Sequence, residues 1–268
     1  MSTIPEGSLA EPDDATGSGP ADSRRAPHER SLGSYLFLPL LVVAVLVAVY
    51  VTVNGRELTG KEQGRLNLDY ILTKTQEHLE LTVVSSALVL LIAIPLGIVL
   101  TRPFARTVTP TTIAVFNIGQ AIPSIGLIVL LAITVGIGFW PVVAALVAYT
   151  VLPVLRNTMV GLRQVDDSVI ESARGMGMTK LQVLTRIELP LAVPIIMAGL
   201  RTALTINVGT ATLGAFVGAG GLGELIVTGF IGPGELILVV GAVLVAVLAL
   251  LVDYVAGIAE DKLRPRGL

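Results

Sequence analysis

Six blocks of about 20 apolar residues, separated by short polar gaps, constrain this chain more than any other feature. They cover approximately 33–53, 79–100, 111–135, 140–159, 191–215 and 235–257. A helix needs about 20 apolar residues to cross the hydrocarbon core of a bilayer. The chain is 53% hydrophobic and only 14% charged, whereas soluble domains average about 25% charged residues. The sequence therefore predicts an all-α integral membrane protein with six transmembrane helices.

Lys and Arg are unevenly distributed among the polar gaps. Most lie in 101–110, in 160–190 and in the C-terminal segment, namely Arg102, Arg106, Arg163, Arg174, Lys180, Arg186, Lys262, Arg264 and Arg266. The opposite gaps contain Arg56, Lys61, Arg65 and Lys74. Because basic loops are retained on the cytoplasmic side, we expect a multi-pass protein with both termini and the 160–190 segment in the cytoplasm.

The domain organisation follows from these blocks. Residues 1–30 are too polar to bury a core and are expected to form a disordered cytoplasmic tail. We expect a membrane anchor helix at 31–54, an extracytoplasmic loop at 55–75, a five-helix transmembrane domain at 76–258 and a cytoplasmic tail at 259–268.

Cysteine is absent, which excludes disulfides and thiol chemistry.

The segment 163–190 has the signals of two short helices joined by a sharp turn. Ser168-x-x-Glu171 and Thr179-x-x-Gln182 both have capping-box spacing. Gly177 between them allows a left-handed turn, and Pro190 suits the first turn of the next helix. An ordinary surface helix-turn-helix would give the same caps, so these signals alone do not assign a function.

A longer pattern runs through the same segment. It reads Glu171-Ser172-Ala173, three residues, Gly177, nine residues, Ile187, one residue and Leu189-Pro190. This pattern resembles the EAA loop of bacterial ABC importer permeases, with Ser172 in place of the usual second alanine. The resemblance implies a cytoplasmic coupling-helix loop that docks on an ATPase subunit. The implied coupling residues are Glu171, Ser172, Ala173, Gly177, Ile187, Leu189 and Pro190.

Further segments between about 79 and 257 are similar to permeases of osmoprotectant ABC importers. They include Gln120-Ala-Ile-Pro123-Ser, residues 149–158, residues 188–194, Gly199-Leu-Arg201-Thr-Ala and Gly218-Ala-Gly-Gly-Leu-Gly223. These systems carry glycine betaine, choline, carnitine or proline betaine. The resemblance implies a permease of the bacterial inner membrane with a five-helix importer core. Its implied partners are a second permease chain, identical or paralogous, an ATPase that binds ATP and magnesium, and an extracytoplasmic substrate-binding protein.

Two features invite other interpretations. Gly218-x-Gly220-x-x-Gly223 matches a dinucleotide-binding fingerprint, which requires a preceding strand. Because a membrane helix precedes it here, we expect either a flexible break between spans or a re-entrant turn buried in protein.

His28 and His78 are isolated, with His78 expected at a membrane interface. The sequence shows no carboxylate pair, triad or metal cluster, so we predict no catalytic site, no cofactor and no nucleic-acid partner on this chain.

Several polar residues fall inside the predicted spans. Hydrogen bonds between helices are their commonest role; the alternative is that some line a translocation path. The candidates for the path are Asn117, Gln120, Pro123, Asn207, Thr210 and Thr212, with Pro123 and Pro95 expected to bend their helices.

Arg201 also lies within a predicted span, where an unpaired charge costs roughly 2.5–3.5 kcal/mol. We expect Asp253 to be its partner in an intramembrane ion pair. The alternatives are Glu188 and a phospholipid phosphate.

Three classes of function remain from the sequence. The first is a permease of an ATP-driven importer for a compatible solute, or alternatively for another small amine or amino-acid-like substrate. The second is an ion-coupled secondary transporter, which would need carboxylates at mid-membrane. The third is a non-transporting membrane scaffold. Aromatic residues, which bind quaternary ammonium groups, make up only 4% of the chain. Tight substrate recognition is therefore expected in the binding protein.

Overall fold

The computed structural model describes residues 32–263, which are almost entirely helical. The expected tail at 1–30 and the last five residues of the chain lie outside the described residues. In the described part, five helices are long and apolar enough to cross a membrane, and a strongly bent pair of helices gives a sixth span if the pair crosses as one. The predicted class, an all-α membrane protein with up to six spans, is confirmed.

The described helices are numbered in chain order. They are α1 (Leu32–Asn54), α2 (Gly60–Arg65), α3 (Leu68–Thr101), α4 (Thr109–Ala121), α5 (Ser124–Val135), α6 (Phe139–Arg163), α7 (Asp167–Gly175), α8 (Lys180–Val183), α9 (Leu189–Ala211), α10 (Gly223–Ile231) and α11 (Glu235–Leu263).

Helices α3, α6 and α9 form the centre of the bundle, and α11 packs against α9. Small residues let these helices approach closely, as is usual within membranes. A Cβ atom on Gly199 of α9 would lie 2.6 Å from Cβ of Asn157 on α6. A Cβ atom on Gly97 of α3 would lie 2.7 Å from Cγ2 of Thr158. Glycine at these two positions therefore sets the spacing of the three central helices.

The third predicted span, 111–135, is not one helix. It divides into α4 and α5, which meet at an angle of 94°. Pro123 causes the break, because the residue before a proline is disfavoured in helical conformation, and Ile122 is extended with ψ 131°. Pro95, in contrast, lies inside α3 without interrupting it.

The expected loop at 55–75 is largely helical. It contains α2, which is capped by Thr59, and the first two turns of α3, which is capped by Asn67. The Thr59 N–H donates to the Glu62 carboxylate and lowers the pKa of that carboxyl. At 34 residues, α3 is about 51 Å long and projects beyond a hydrocarbon core of about 30 Å. At the other end of the chain, α11 continues to Leu263, so residues 259–263 of the expected tail are helical as well.

Pro190 lies in the first turn of α9, as expected, but no loop precedes this helix. The chain is helical without a break from Lys180 to Val217, over 38 residues. Residues Leu184–Glu188 form a π-helical segment in which the Leu189 N–H donates to the Leu184 carbonyl. A proline ring clashes with the carbonyl four residues earlier, here that of Arg186, and the wider π turn accommodates it. The helix therefore passes through Pro190.

The glycine-rich segment after α9 is packed into protein. A 3₁₀ turn at Thr212–Val217 leads into Gly218–Leu222 and then into α10, which packs against α11. Gly220, Gly221 and Gly223 are buried. A Cβ atom on Gly223 would lie 2.0 Å from the Thr212 carbonyl oxygen. The segment is thus packed in protein and is not a free flexible break, and we call residues 212–231 the re-entrant hairpin.

Candidate functional site

Helices α3 and α9 run antiparallel, and two polar contacts fix their register. Arg102 at the end of α3 pairs with Glu188, with 2.6 Å between Nη2 and Oε2. Nineteen residues after Glu188, Asn207 of α9 binds Ser85 and Ser86 of α3. Glu188 is therefore the partner of Arg102 and not of Arg201. We call the end that carries Arg102 the α7–α8 end, and the opposite end the α10 end.

The α7–α8 loop begins with a cap that the sequence analysis placed wrongly. The N-cap is Asp166, not Ser168, because the Asp166 carboxylate accepts a 2.8 Å hydrogen bond from the Ser168 N–H. This bond lowers the pKa of Asp166, since it stabilises the charged form. Thr179 and Gln182 form the expected capping box at the start of α8.

Gly177 ends α7 in a left-handed conformation, with φ +84°. Its N–H donates to the Arg174 carbonyl at 2.9 Å, and the Met178 N–H donates to the Ala173 carbonyl at 3.2 Å. This pair of bonds is a Schellman motif, in which glycine is favoured because it has no Cβ atom. The turn directs α8 away from α7 in a fixed geometry.

The residues of the EAA-like pattern divide into an exposed and a buried group. Glu171, Ser172 and Gly177 are exposed, Ala173 is buried, and Ile187, Leu189 and Pro190 are half-buried in the helix behind the loop. The apolar side chains Met176 and Leu181 are 77% and 68% exposed. Together with Glu171 they give the loop an accessible surface with both apolar and acidic character, suited to contact with another protein.

Asn207, a candidate for the translocation path, is fully buried. Its amide nitrogen donates to the Ser85 and Ser86 hydroxyls at 3.1 and 3.0 Å. Its amide oxygen lies 3.2 Å from the Thr150 hydroxyl on α6. These contacts join α3, α6 and α9, so Asn207 holds the bundle together and faces no open space in the described chain.

The other candidates for the path do not converge with Asn207. On α4, Asn117 accepts a 2.8 Å hydrogen bond from Arg156, and Gln120 donates one of 2.8 Å to the Tyr149 carbonyl. Pro123 is exposed at the bend between α4 and α5, and Thr210 is half-buried. The Thr212 hydroxyl donates to the Gly209 carbonyl of its own helix. The structure brings Asn117 and Gln120 together against α6 and leaves the remaining four candidates apart.

Helix α9 has an open face that the sequence analysis missed. Ala198, Thr202, Thr205 and Gly209 are all exposed and recur at intervals of four, three and four residues, which places them on one side of a helix. Small and polar residues at this spacing in a membrane helix favour contact with protein or water over lipid. The four-three-four spacing of these residues in the sequence could have predicted the open face of α9.

Arg201 and Asp253 form a two-pronged ion pair beside this face. Arg201 Nε and Nη2 donate to the two Asp253 carboxylate oxygens at 3.0 and 2.9 Å. Arg201 Nη1 donates to Glu260 at 3.1 Å. The sequence analysis did not anticipate Glu260, although it lies seven residues after Asp253 and hence on the same side of α11. One guanidinium thus binds two carboxylates.

The depth of this cluster follows from the helix register. Arg201 lies thirteen residues beyond Glu188 on the same continuous helix, which is about 20 Å at 1.5 Å per residue. Glu188 pairs with Arg102 where α3 ends. If that end marks one boundary of a hydrocarbon core about 30 Å thick, Arg201 lies well inside it.

His78, which was expected to be an interfacial side chain, is completely buried in protein. Its Nε2 lies 2.9 Å from the Val208 carbonyl oxygen. The neighbouring Glu77 accepts a 2.8 Å bond from the Gly221 N–H, and Lys74 contacts both Glu77 and Glu224. These contacts tie the re-entrant hairpin to α3. Among the described residues, no cluster of His, Cys, Asp or Glu could hold a metal ion.

The fold, the projecting helical loop and the matches to known proteins define a membrane-embedded subunit of an ABC importer. Residues 93–265 match the family model described as binding-protein-dependent transport system inner membrane component. The chain belongs to this family. The resemblance to osmoprotectant importer permeases is confirmed by the relatives that follow.

The choline transport system permease protein OpuBB of Bacillus subtilis is 42% identical over 198 residues, which are 74% of this chain and 90% of the relative. The osmoprotectant import permease protein OsmY of Salmonella typhimurium is 37% identical over 225 residues, 84% of this chain and 93% of the relative. Among solved structures, an inward-facing MetNI methionine ABC transporter gives a TM-score of 0.67 at 26% identity, covering 78% of this chain and 100% of that one.

Proposed function

We propose that this chain forms part of the translocation path of an ATP-driven importer for quaternary ammonium osmoprotectants such as choline, glycine betaine, carnitine or proline betaine. The observation that carries the proposal is the α7–Gly177–α8 loop. It carries the EAA-like pattern, exposes Glu171 and is continuous through α8 with the helix that contains Arg201. The names of the relatives support the substrate class.

The α7–α8 end then faces the cytoplasm of a bacterium, and both termini lie on that side of the inner membrane. An ATPase subunit that binds ATP and magnesium docks on Met176, Leu181 and Glu171. A substrate-binding protein delivers its ligand at the α10 end, and a second permease, identical or paralogous, completes the path. This chain itself hydrolyses nothing and needs no cofactor.

Coupling in this proposal uses the continuous helix from Lys180 to Val217. A movement of the docked ATPase displaces α8, and α9 moves with it because no loop separates them. The open face of α9 borders the path. Only 4% of the residues of the chain are aromatic. The binding protein therefore provides the high-affinity recognition of the substrate.

One observation favours an amino-acid-like substrate instead, namely the similarity to a methionine transporter. The relatives named for choline and related osmoprotectants are more similar to this chain, at 40–42% identity for two of them. Competition by unlabelled choline and methionine for uptake of labelled glycine betaine separates the two substrate classes. Choline is expected to compete and methionine is not.

The coupling proposal is tested with Glu171→Ala and Gly177→Ala. The first removes an exposed charge from the docking surface, and the second places a Cβ atom on a residue with φ +84°, which strains the turn. Asp69→Ala, an exposed carboxylate at the other end of α3, is the matched control. We expect normal membrane levels for all three variants.

The readouts are copurified ATPase per permease and ATP hydrolysis in vesicles with and without loaded binding protein. Both loop variants should lose association and stimulation, whereas the control keeps them. Full association and stimulation in both loop variants would remove the main support for the proposal. Substrate uptake by the permease without any ATPase would instead support ion-coupled transport, and an assembled complex without flux would indicate a scaffold.

A further inference from the structure

We propose that the Arg201–Asp253–Glu260 cluster is a transit site for the quaternary ammonium group of the substrate. This inference rests on the proposed function and specifies where in the chain the cation is held. The site is the open cleft between α9 and α11, lined by Ala198, Arg201, Thr202, Thr205, Ile206 and Asp253, with a volume of about 440 Å³.

The cluster contains more carboxylates than cationic groups among its described side chains. One guanidinium cation faces two carboxylates, at 2.9 Å from Asp253 and 3.1 Å from Glu260, so these three described side chains together carry one excess negative charge. All three side chains stay partly accessible, at 29%, 36% and 24%. Arg201 and Asp253 lie within predicted spans, where charges are costly and mark substrate or ion pathways, and Glu260 lies near the end of α11. A mobile cation in the cleft would balance the excess charge.

The chemistry of the cleft wall is a further argument. The Thr202 and Thr205 hydroxyls donate their protons to the carbonyls of Ala198 and Arg201, both at 3.0 Å. Their oxygens therefore present only lone pairs to the cleft. A quaternary ammonium group has no N–H to donate and is attracted by carboxylates and lone-pair oxygens. The wall thus matches this cation better than it matches an anion.

The residues that line the cleft include no aromatic side chain. Aromatic cages bind quaternary ammonium groups tightly, whereas a transport path needs sites weak enough to release the ligand. A site with one excess negative charge and no aromatic cage attracts the cation without trapping it.

A basic side chain from a second permease is the competing occupant. In an identical partner, Arg156 lies at a corresponding depth, since its neighbour Asn157 packs against Gly199, and it is exposed. The Glu260 and Arg156 variants described below distinguish this occupant from a small cation. A phospholipid phosphate is disfavoured by its negative charge.

The decisive variant is Glu260→Gln, which removes the excess charge and leaves the Arg201–Asp253 pair in place. Glu260→Asp keeps the charge and serves as the conservative variant. Glu235→Gln makes the same chemical change at an exposed position at the start of the same helix. Each complete importer is reconstituted in vesicles with saturating loaded binding protein, and uptake of labelled choline and glycine betaine is measured together with ATP hydrolysis.

We expect Glu260→Gln to reduce choline uptake roughly fivefold or more, given the strength of a unit charge interaction at short range. Glycine betaine should lose less, because the same excess charge repels its carboxylate. The ratio of choline to glycine betaine uptake therefore falls, while stimulated ATP hydrolysis persists. Glu260→Asp and Glu235→Gln should keep the wild-type ratio.

An unchanged ratio in Glu260→Gln, or an equal loss of both substrates, would overturn the transit site. It would also be overturned if Glu260→Gln and Arg156→Gln both dissociated the permease pair, because the occupant would then be the second subunit. Failure of the wild-type importer to take up either substrate would instead contradict the proposed function, so the two failures are distinguishable.

Discussion

The Gly221 N–H donates a 2.8 Å hydrogen bond to the carboxylate of Glu77 on α3, although the two residues are 144 positions apart. Lys74, one turn before Glu77, contacts that carboxylate and also Glu224 at the start of α10, at 2.9 and 3.0 Å. Tyr70 donates to Glu224 as well, at 2.9 Å. The re-entrant hairpin is therefore held against the projecting part of α3 by a charged network.

Gly220→Ala should destabilise this arrangement. Gly220 has φ +80°, and an added Cβ atom would lie 2.2 Å from Glu77 Oε2. The backbone strain alone costs about 1–3 kcal/mol, and moving the carboxylate breaks its bond to Gly221. We expect a lower unfolding midpoint for the purified subunit in detergent.

Gly64→Ala is the control for that measurement. Gly64 lies in α2 with no atom near an added Cβ and no positive φ, so alanine should be neutral or slightly stabilising there. Equal midpoints for Gly220→Ala and the wild type would show that the hairpin does not depend on this contact.

Arg201→Ala should lower the folded yield more than Asp253→Ala does. Loss of Arg201 leaves two carboxylates without their cation, whereas loss of Asp253 leaves Arg201 bonded to Glu260. A charged group left without its partner costs about 1–3 kcal/mol or more. Fluorescence-detected size exclusion of each variant and of the double variant measures the effect. Strictly additive losses in the double variant would argue against coupling of the two side chains.

Asp166→Ala should loosen the first turn of α7, whereas Asp166→Asn should preserve it because asparagine caps helices equally well. The pKa of Asp166 is lowered in the fold by the Ser168 N–H. Its stabilising contribution is thus complete above the ordinary value of 3.8 and is lost as the pH falls through the lowered folded pKa.

Hydrogen exchange across residues 167–170, corrected for intrinsic rates, tests this expectation. At neutral pH the alanine variant should exchange several-fold faster than the wild type, and the asparagine variant should match the wild type. A difference between alanine and wild type that persisted undiminished well below pH 3.8 would contradict an ionised cap.

The chain contains no cysteine, which makes its topology directly measurable. In intact cells, an impermeant thiol reagent should label Lys61→Cys and leave Lys180→Cys unlabelled until the cells are opened. Both positions are exposed, so accessibility to solvent does not differ between them. Labelling of Lys180→Cys in intact cells would reverse the proposed orientation.

The sequence contained enough information to predict the spans and the two short helices joined by a turn at 163–190. Apolar blocks of bilayer length are a strong local signal, and the spaced pattern from Glu171 to Pro190 identified the loop. Gly177 was predicted to permit a turn because the glycine requirement of a left-handed residue is also local. Asp253 was named as the partner of Arg201 because it lies in the expected cytoplasmic half of the last predicted span.

The remaining features depend on packing that a single sequence does not encode locally. Pro123 indicated a bend, but not the 94° that separates α4 from α5. The burial of His78 depends on the re-entrant hairpin folding back against α3. Ser168 and Asp166 are both good caps, and the choice between them depends on where α6 ends.

The unbroken helix from Lys180 to Val217 has a mechanical consequence. At 38 residues it is about 57 Å long, and Gly199 packs closely against Asn157 near its midpoint. Glu188 and Asn207 also tie this helix to α3 on either side of that point, and no loop interrupts it between α8 and the glycine-rich end. Under the proposed function, a displacement of α8 would therefore reach the far end of the helix as a movement of one rigid body.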